Sequence, residues 1–374
     1  RTGPAVIFRD RRAAADLTTS MSQVFMGVRL ECARCHQHPN ESWSQEDFYQ
    51  LAAYFGEVGR KGTGVSPPIS GSPEFVFHKP GGSVKHPVTG EVMAPAPPAG
   101  VKIEIESGRD PREVLADWLV APGNPFFARA LVNRVWGAMM GSGIVNPVDD
   151  MRTSNPPANP ALLEALARDF VENGHDLKQL MRRIANSRVY QLSSTPNETN
   201  VKDTRQFSRA YRRRLSAEVM TDAIADVTGV ANDFGPLPKD QPQRAVGQAM
   251  PPLRYGSTRG GYAMKIFGRP DREKTCDCER SNEPSVAQAL YLINDVEVLG
   301  KINNLKGTLP KLLKSMADDG ELITQLYLTT LARFPTEAER DAHRQHVTAA
   351  PSRAEGMKDV LGSLLNVREF VFVH

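Results

Sequence analysis

Several features are scarce or missing in this chain, and each absence removes a class of function. No stretch approaches the roughly 18 consecutive apolar residues that a membrane-spanning helix needs, so no membrane span is expected. A dominant charge is missing too: 46 basic residues face 43 acidic ones, a formal net charge of +3 over 374 residues. The basic residues are scattered. Their densest run, Arg212-Arg213-Arg214, is expected to open a helix and to make ion pairs, so nucleic-acid binding is not expected. The hydrolase patterns Gly-x-Ser-x-Gly and His-Glu-x-x-His do not occur. Gly256-Ser257-Thr258-Arg259-Gly260-Gly261 lacks the Lys-Ser/Thr ending of a phosphate loop, which argues against nucleotide binding.

Cysteine is scarce as well, four in all, yet two of them stand in Cys32-Ala33-Arg34-Cys35-His36. This is the Cys-x-x-Cys-His pattern of c-type haem attachment. Two thiols three positions apart can bond the two vinyl groups of one porphyrin, and the adjoining imidazole, His36, then reaches the iron as proximal ligand. Haem c is the expected cofactor. Zinc is the alternative, because His38 follows closely and Cys276 and Cys278 form a second thiol pair. Four thiolates from Cys32, Cys35, Cys276 and Cys278 would make a closed tetrahedral site. A disulfide between the two regions is equally open if the chain is exported. A haem also needs a distal ligand or an open site. His86 is the candidate, with His78 as another imidazole in the same region and Met21, Met26 or Met93 as alternatives. His38 lies on the proximal side and is poorly placed for that role.

The remaining composition, 40% hydrophobic and 24% charged, is that of an ordinary folded protein. Apolar periodicity predicts a mainly α fold, with multi-helix bundle-like domains. Residues 1–56 form a helical segment around the Cys motif, in which Ser44 to Asp47 resembles a capping box. Residues 57–108 are a Gly/Pro-rich insertion whose runs 74–78 and 101–106 are β-prone. Residues 109–374 form a helical domain, with helices expected at 111–120, 125–140, 160–173, 176–192 and 208–228. Gly174 ends one of these and Asp176 caps the next. A long ordered loop is expected near 230–283, followed by helices at 284–302, 308–317, 320–334, 336–349 and 354–368. Asp149-Asp150 beside Arg152 is open to use as a catalytic dyad, but such a pair more often caps or salt-bridges a loop. Asn133, Arg134 and Trp136 share a helix expected to pack into the core with a buried Arg ion pair.

Several phrases carry a resemblance over essentially the whole chain. They are Ser22 to Pro39 around the motif, Trp43 to Tyr49, Leu115 to Leu119, Asn124 to Trp136, Asn155 to Leu163, Cys276 to Ser281 and Leu365 to His374. The chain resembles the large secreted proteins of planctomycetes that join a planctomycete cytochrome c-type domain to two domains of unknown function. That resemblance implies export, to a periplasmic, cell-surface or extracellular location, and a cytochrome-like association. It supplies no activity. The chain opens at Arg1 without a signal-peptide pattern and with only the last part of the helical portion that precedes the motif in that family. It is therefore expected to be a C-terminal portion, partnered by its missing N-terminal portion or by another redox subunit. The expected function is electron transfer by a single covalent haem within a larger redox assembly. One alternative is a structural or binding module, for extracellular glycans or assembly partners, stapled by zinc or disulfides. The other is a peroxidase-like haem enzyme with open iron.

Overall fold

The computed structural model describes residues 6–39, 41–62, 74–98, 103–235, 244–247, 258–270 and 284–373. They form two compact units, one running to Tyr211 and the other starting at Arg212. The expected segments 1–56 and 57–108 both lie in the first unit, and the expected 109–374 domain is shared between the two. The architecture is mainly helical, with two two-stranded sheets among the described residues.

In the first unit, α1 (Val6–Asp10) leads to α2 (Ala14–Met21), which runs on into a π-helical turn, Ser22–Met26. Gly27 ends it with a φ of 69°, and a Cβ there would stand 3.1 Å from the Met151 sulfur. Glycine is thus required both by backbone conformation and by space. A single 3-10 turn, Leu30–Arg34, carries the first half of the Cys motif. Helix α3 (Gln45–Ala53) opens on the expected capping box. Ser44 Oγ accepts from the Asp47 N–H at 3.0 Å, and the Asp47 carboxylate accepts from the Ser44 N–H at 2.8 Å. Its buried positions Phe48, Leu51 and Ala52 recur at helical spacing, and Phe48 and Leu51 join Leu17, Met21, Met26 and Leu30 in one core.

Strands β1 (Val58–Gly62) and β2 (Glu74–His78) pair antiparallel, with Val58 opposite His78 and Gly62 opposite Glu74. The second β-prone run differs from expectation: from Ile103 to Glu106 it is irregular. Ile103 and Ile105 still turn onto the core, so their alternation reports burial alone. A strand needs a hydrogen-bonded neighbour as well. Helices α4 (Pro111–Val120), α5 (Phe127–Met140), α6 (Pro160–Glu172) and α7 (Leu177–Ala185) complete the unit. Asp110, Asn159 and Asp176 accept backbone N–H groups at three of their starts. Gly174 follows α6 at a φ of 65°. Val132, Trp136, Leu163, Phe170, Leu180 and Ile184 fill a second core.

Two helices are shorter than expected. The one predicted over 176–192 ends at Ala185, and the one predicted over 208–228 starts at Ala217. The intervening chain is rich in Ser, Thr, Asn and Asp, whose side chains compete with helix by bonding their own backbone. Asp203 does so three times, accepting from the N–H groups of Arg205, Gln206 and Ser208.

The second unit begins with β3 (Arg213–Arg214), paired antiparallel with β4 (Phe372–Val373) near the other end of the chain. The arginine run therefore forms a strand rather than opening a helix. Then come α8 (Ala217–Thr228) and α9 (Arg259–Ile266). The latter lies inside the expected loop, and Thr258 of the glycine-rich phrase is its N-cap. The predicted 284–302 helix is divided into α10 (Val286–Asn294) and α11 (Val296–Ile302), because the Asp295 carboxylate leaves the first to cap the second at 2.8 Å. Helices α12 (Thr308–Ser315), α13 (Asp319–Leu331), α14 (Glu337–Ala349), α15 (Arg353–Asn366) and α16 (Arg368–Val371) follow. Helix α15 is central. It touches each of α10 to α14, and it buries Met357, Val360, Leu361, Leu364 and Leu365. Among the described residues no helix is long and apolar enough to cross a membrane.

Candidate functional site

The 3-10 turn gives the Cys motif its geometry. With three residues per turn, side chains at i and i+3 align. Leu30 and Ala33 align on one side and are fully buried, anchoring the turn to the α2–α3 core. Cys32 and Cys35 are spaced the same way and both are exposed, and neither is in a disulfide. The Cys35 N–H closes the turn onto the Cys32 carbonyl at 3.4 Å. Two thiols at the spacing of one tight turn are thus held clear of the core.

His36 is also exposed, and its Nδ1 lies 2.7 Å from the Gln37 carbonyl. A carbonyl only accepts, so Nδ1 carries the hydrogen and the lone pair of the neutral ring sits on Nε2. A backbone carbonyl on Nδ1 is the arrangement that orients an imidazole for metal ligation through Nε2. His38 is different. It is buried, its Nε2 donates to the Arg29 carbonyl at 3.2 Å, and its backbone N–H donates to the Trp43 carbonyl at 2.9 Å. That residue pins the segment after the motif to the segment before it.

The distal candidates are scattered in role. His86 Nδ1 accepts from the N–H groups of Val88 and Thr89, both at 3.3 Å, and its ring stands edge-on to Tyr49. Its neutral ring therefore carries hydrogen on Nε2, and it serves here as the staple of a turn. His78 Nε2 meets the Glu57 carboxylate at 2.6 Å. Met21 and Met26 are buried in the core, while Met93 is half-buried. Cys276 and Cys278 lie outside the described residues. Among the described residues, no three His, Cys, Asp or Glu side chains are gathered to hold a metal ion.

A support that the motif itself does not announce lies beneath the turn. Asp149 is wholly buried and accepts from Gln23 Nε2 at 2.6 Å and from an Arg29 guanidinium nitrogen at 2.7 Å. Asp150 stands 3.6 Å from the other Arg29 nitrogen and 3.4 Å from Arg152. Arg134 donates to the Gln23 carbonyl, and the Met151 N–H donates to that of Gly27. On the far side, Arg34 pairs with Asp16 at 3.0 Å and receives Gln45 on its carbonyl. The carboxylate pair thus holds a loop to the chain just ahead of Cys32. Asn133 fixes the same loop, exchanging hydrogen bonds with the Val145 carbonyl and N–H at 2.8 and 2.9 Å. The Asp149-Asp150 pair does salt-bridge a loop, as its sequence favours, but nothing in the sequence points to its partner Arg29, 120 positions away.

The second unit holds a separate buried charged group. Lys301 Nζ donates to the Val230 and Ala231 carbonyls at 2.8 and 2.9 Å, and Tyr291 donates to Glu297 at 3.3 Å. Burial pushes the Glu297 carboxyl up and the Lys301 amine down from their ordinary values. With its amine bonded to both carbonyls, Lys301 ties α11 to the segment that follows α8.

Comparison with known families gives two matches. The model described as PSD1, a protein of unknown function (DUF1553), matches residues 111–347, nearly two thirds of the chain. The model described as PSCyt2, a protein of unknown function (DUF1549), matches residues 6–60, which include the Cys motif. Neither is a cytochrome domain by description. No curated protein and no solved structure matches the chain.

Proposed function

The chain belongs to the PSD1 family (DUF1553), and we propose that it is an exported c-type cytochrome-like protein in which Cys32, Cys35 and His36 hold one haem for electron transfer. The observation that carries this is the set of groups on the motif turn: two free, exposed thiols beside an imidazole whose Nε2 lone pair is left open by the Gln37 carbonyl. The donor set fits the group. Two thiols suit thioether attachment, and a neutral imidazole suits axial ligation. When bound, haem supplies a one-electron couple between ferrous and ferric iron.

The chain's own contribution is positional. Leu30 and Ala33 hold the turn against the core, the Gln37 carbonyl fixes the His36 tautomer, and the Asp149–Arg29–Gln23 network keeps the preceding segment in place. A carbonyl on Nδ1–H also fixes the orientation of the ring that would reach the iron. Export follows from this reading, since covalent haem attachment occurs outside the cytoplasmic membrane. The two described units far exceed what a single haem requires, which favours a role within a larger redox assembly.

The test is expression of the full chain in a host with c-type maturation machinery. Expected is a Soret band at about 400–420 nm that survives acid–acetone extraction, with covalent attachment lost in the Cys32→Ser, Cys35→Ser double variant. Stoichiometric zinc with no covalent haem would overturn the cytochrome assignment in favour of a metal-stapled module.

A further inference from the structure

The outer faces of α10 and α11 are unusual for a protein surface. Both helices pack on α15 with Tyr291, Leu292, Val298 and Ile302 turned inward. Their opposite sides therefore face away from one shared core. On that side stand Val286, Leu290, Ile293, Val296 and Leu299, with exposures running from 41% at Leu299 to 77% at Val286. The spacing 286, 290, 293 is one helical stripe. From Ser285 to Gly300 no exposed residue carries a charge: Glu297 is buried, and the half-buried Asp295 accepts from the Glu297 N–H. Scattered apolar residues on a surface need no explanation, but a contiguous uncharged stripe does.

We propose that this α10–α11 face is the interface through which two copies of the chain associate. Two properties select a second copy as the occupant. The first is charge. A two-fold contact sets the same patch against itself, so any exposed charge near the axis would meet its like; between Ser285 and Gly300 these two helices expose none. The second is size. From their fractional exposures the five side chains present on the order of 500 Å², so two copies bury up to about 1,000 Å², the lower bound for a specific interface and the size of a weak, reversible one. The small exposed residues between them, Ala287, Ala289 and Gly300, let the helices approach closely and extend the contact.

Sedimentation of the full chain under reducing conditions, from about 1 to 100 μM, tests the proposal. Expected is a reversible monomer–dimer equilibrium with a dissociation constant in the micromolar range. Leu290→Glu should shift it at least tenfold toward monomer with unchanged circular dichroism and melting temperature. Val296→Glu, at a still more exposed position, should do the same. An equimolar mixture of Leu290→Glu and Leu290→Lys should recover the dimer, because the opposed charges then meet across the axis. A wild-type chain that stays monomeric at 100 μM overturns the proposal. So does a dimer that survives both glutamate substitutions, or a charge-swapped mixture that stays monomeric while each variant keeps the wild-type spectrum.

Discussion

Removing the buried carboxylate beneath the motif turn should cost more than any exposed ion pair in the first unit. In Asp149→Ala, Gln23 loses a 2.6 Å acceptor and Arg29 loses a 2.7 Å one. Gln23 is itself buried, and a buried donor left unpaired costs about 1–3 kcal/mol. Breaking a fully buried ion pair costs about 3–5 kcal/mol. The Arg29 side chain is 35% exposed and has Asp150 at 3.6 Å, so part of its charge is recovered by water and by that neighbour. The expected net loss is therefore about 2–4 kcal/mol. For a unit of this size that corresponds to a fall in melting temperature of roughly 5–15 °C. Urea unfolding followed by circular dichroism measures it, with Asp150→Asn as the control. The Asp150 contacts are looser, and the control should lose less than about 1 kcal/mol. If Asp149→Ala also loses less than that, the network does not hold the turn and the reasoning fails.

Other perturbations follow from the same physics. Gly27→Ala should destabilise by about 1–3 kcal/mol, from left-handed strain and crowding against Met151. A neutral or stabilising result in thermal melts would mean the turn is not so constrained. In the second unit, hydrogen bonds from Arg333 hold the Glu339 carboxyl at about 2, below its ordinary 4.5. A folded value below the unfolded one gives stability that is present above about pH 4.5 and lost as pH falls through about 2. Both side chains are about a third exposed, so Glu339→Gln should cost only about 1 kcal/mol at pH 7. Melting curves of the two proteins should converge toward pH 2; a gap that persists there would place the effect elsewhere.

Local chemistry made much of this molecule legible. The Ser44–Asp47 capping box, the Asp176 cap and the Gly174 stop are written within a few residues of the helix ends they govern. The Cys motif is equally local, and its period of three coincides with the 3-10 turn that carries it. Where prediction failed, the deciding partner was distant or the competing bond was subtle. The 101–106 run has strand composition yet is irregular from Ile103 onward. Asp295 divides one predicted helix into two because its carboxylate caps forward, a choice that apolar periodicity does not record.

The sequence by itself determined a mainly helical protein with a Cys-x-x-Cys-His motif at a helix junction, because helix caps, apolar spacing and a five-residue motif all act over one or two turns. Only the tertiary structure decided what surrounds that motif. It turned His38 inward onto the Arg29 carbonyl, left the His36 Nε2 lone pair open, and brought Asp149 under Arg29 from 120 positions away. It also made a strand of Arg213 and Arg214 by pairing them with Val373 and Phe372. Those outcomes depend on which buried donors and acceptors meet when the chain closes, and a buried polar group takes whichever partner the fold brings within reach.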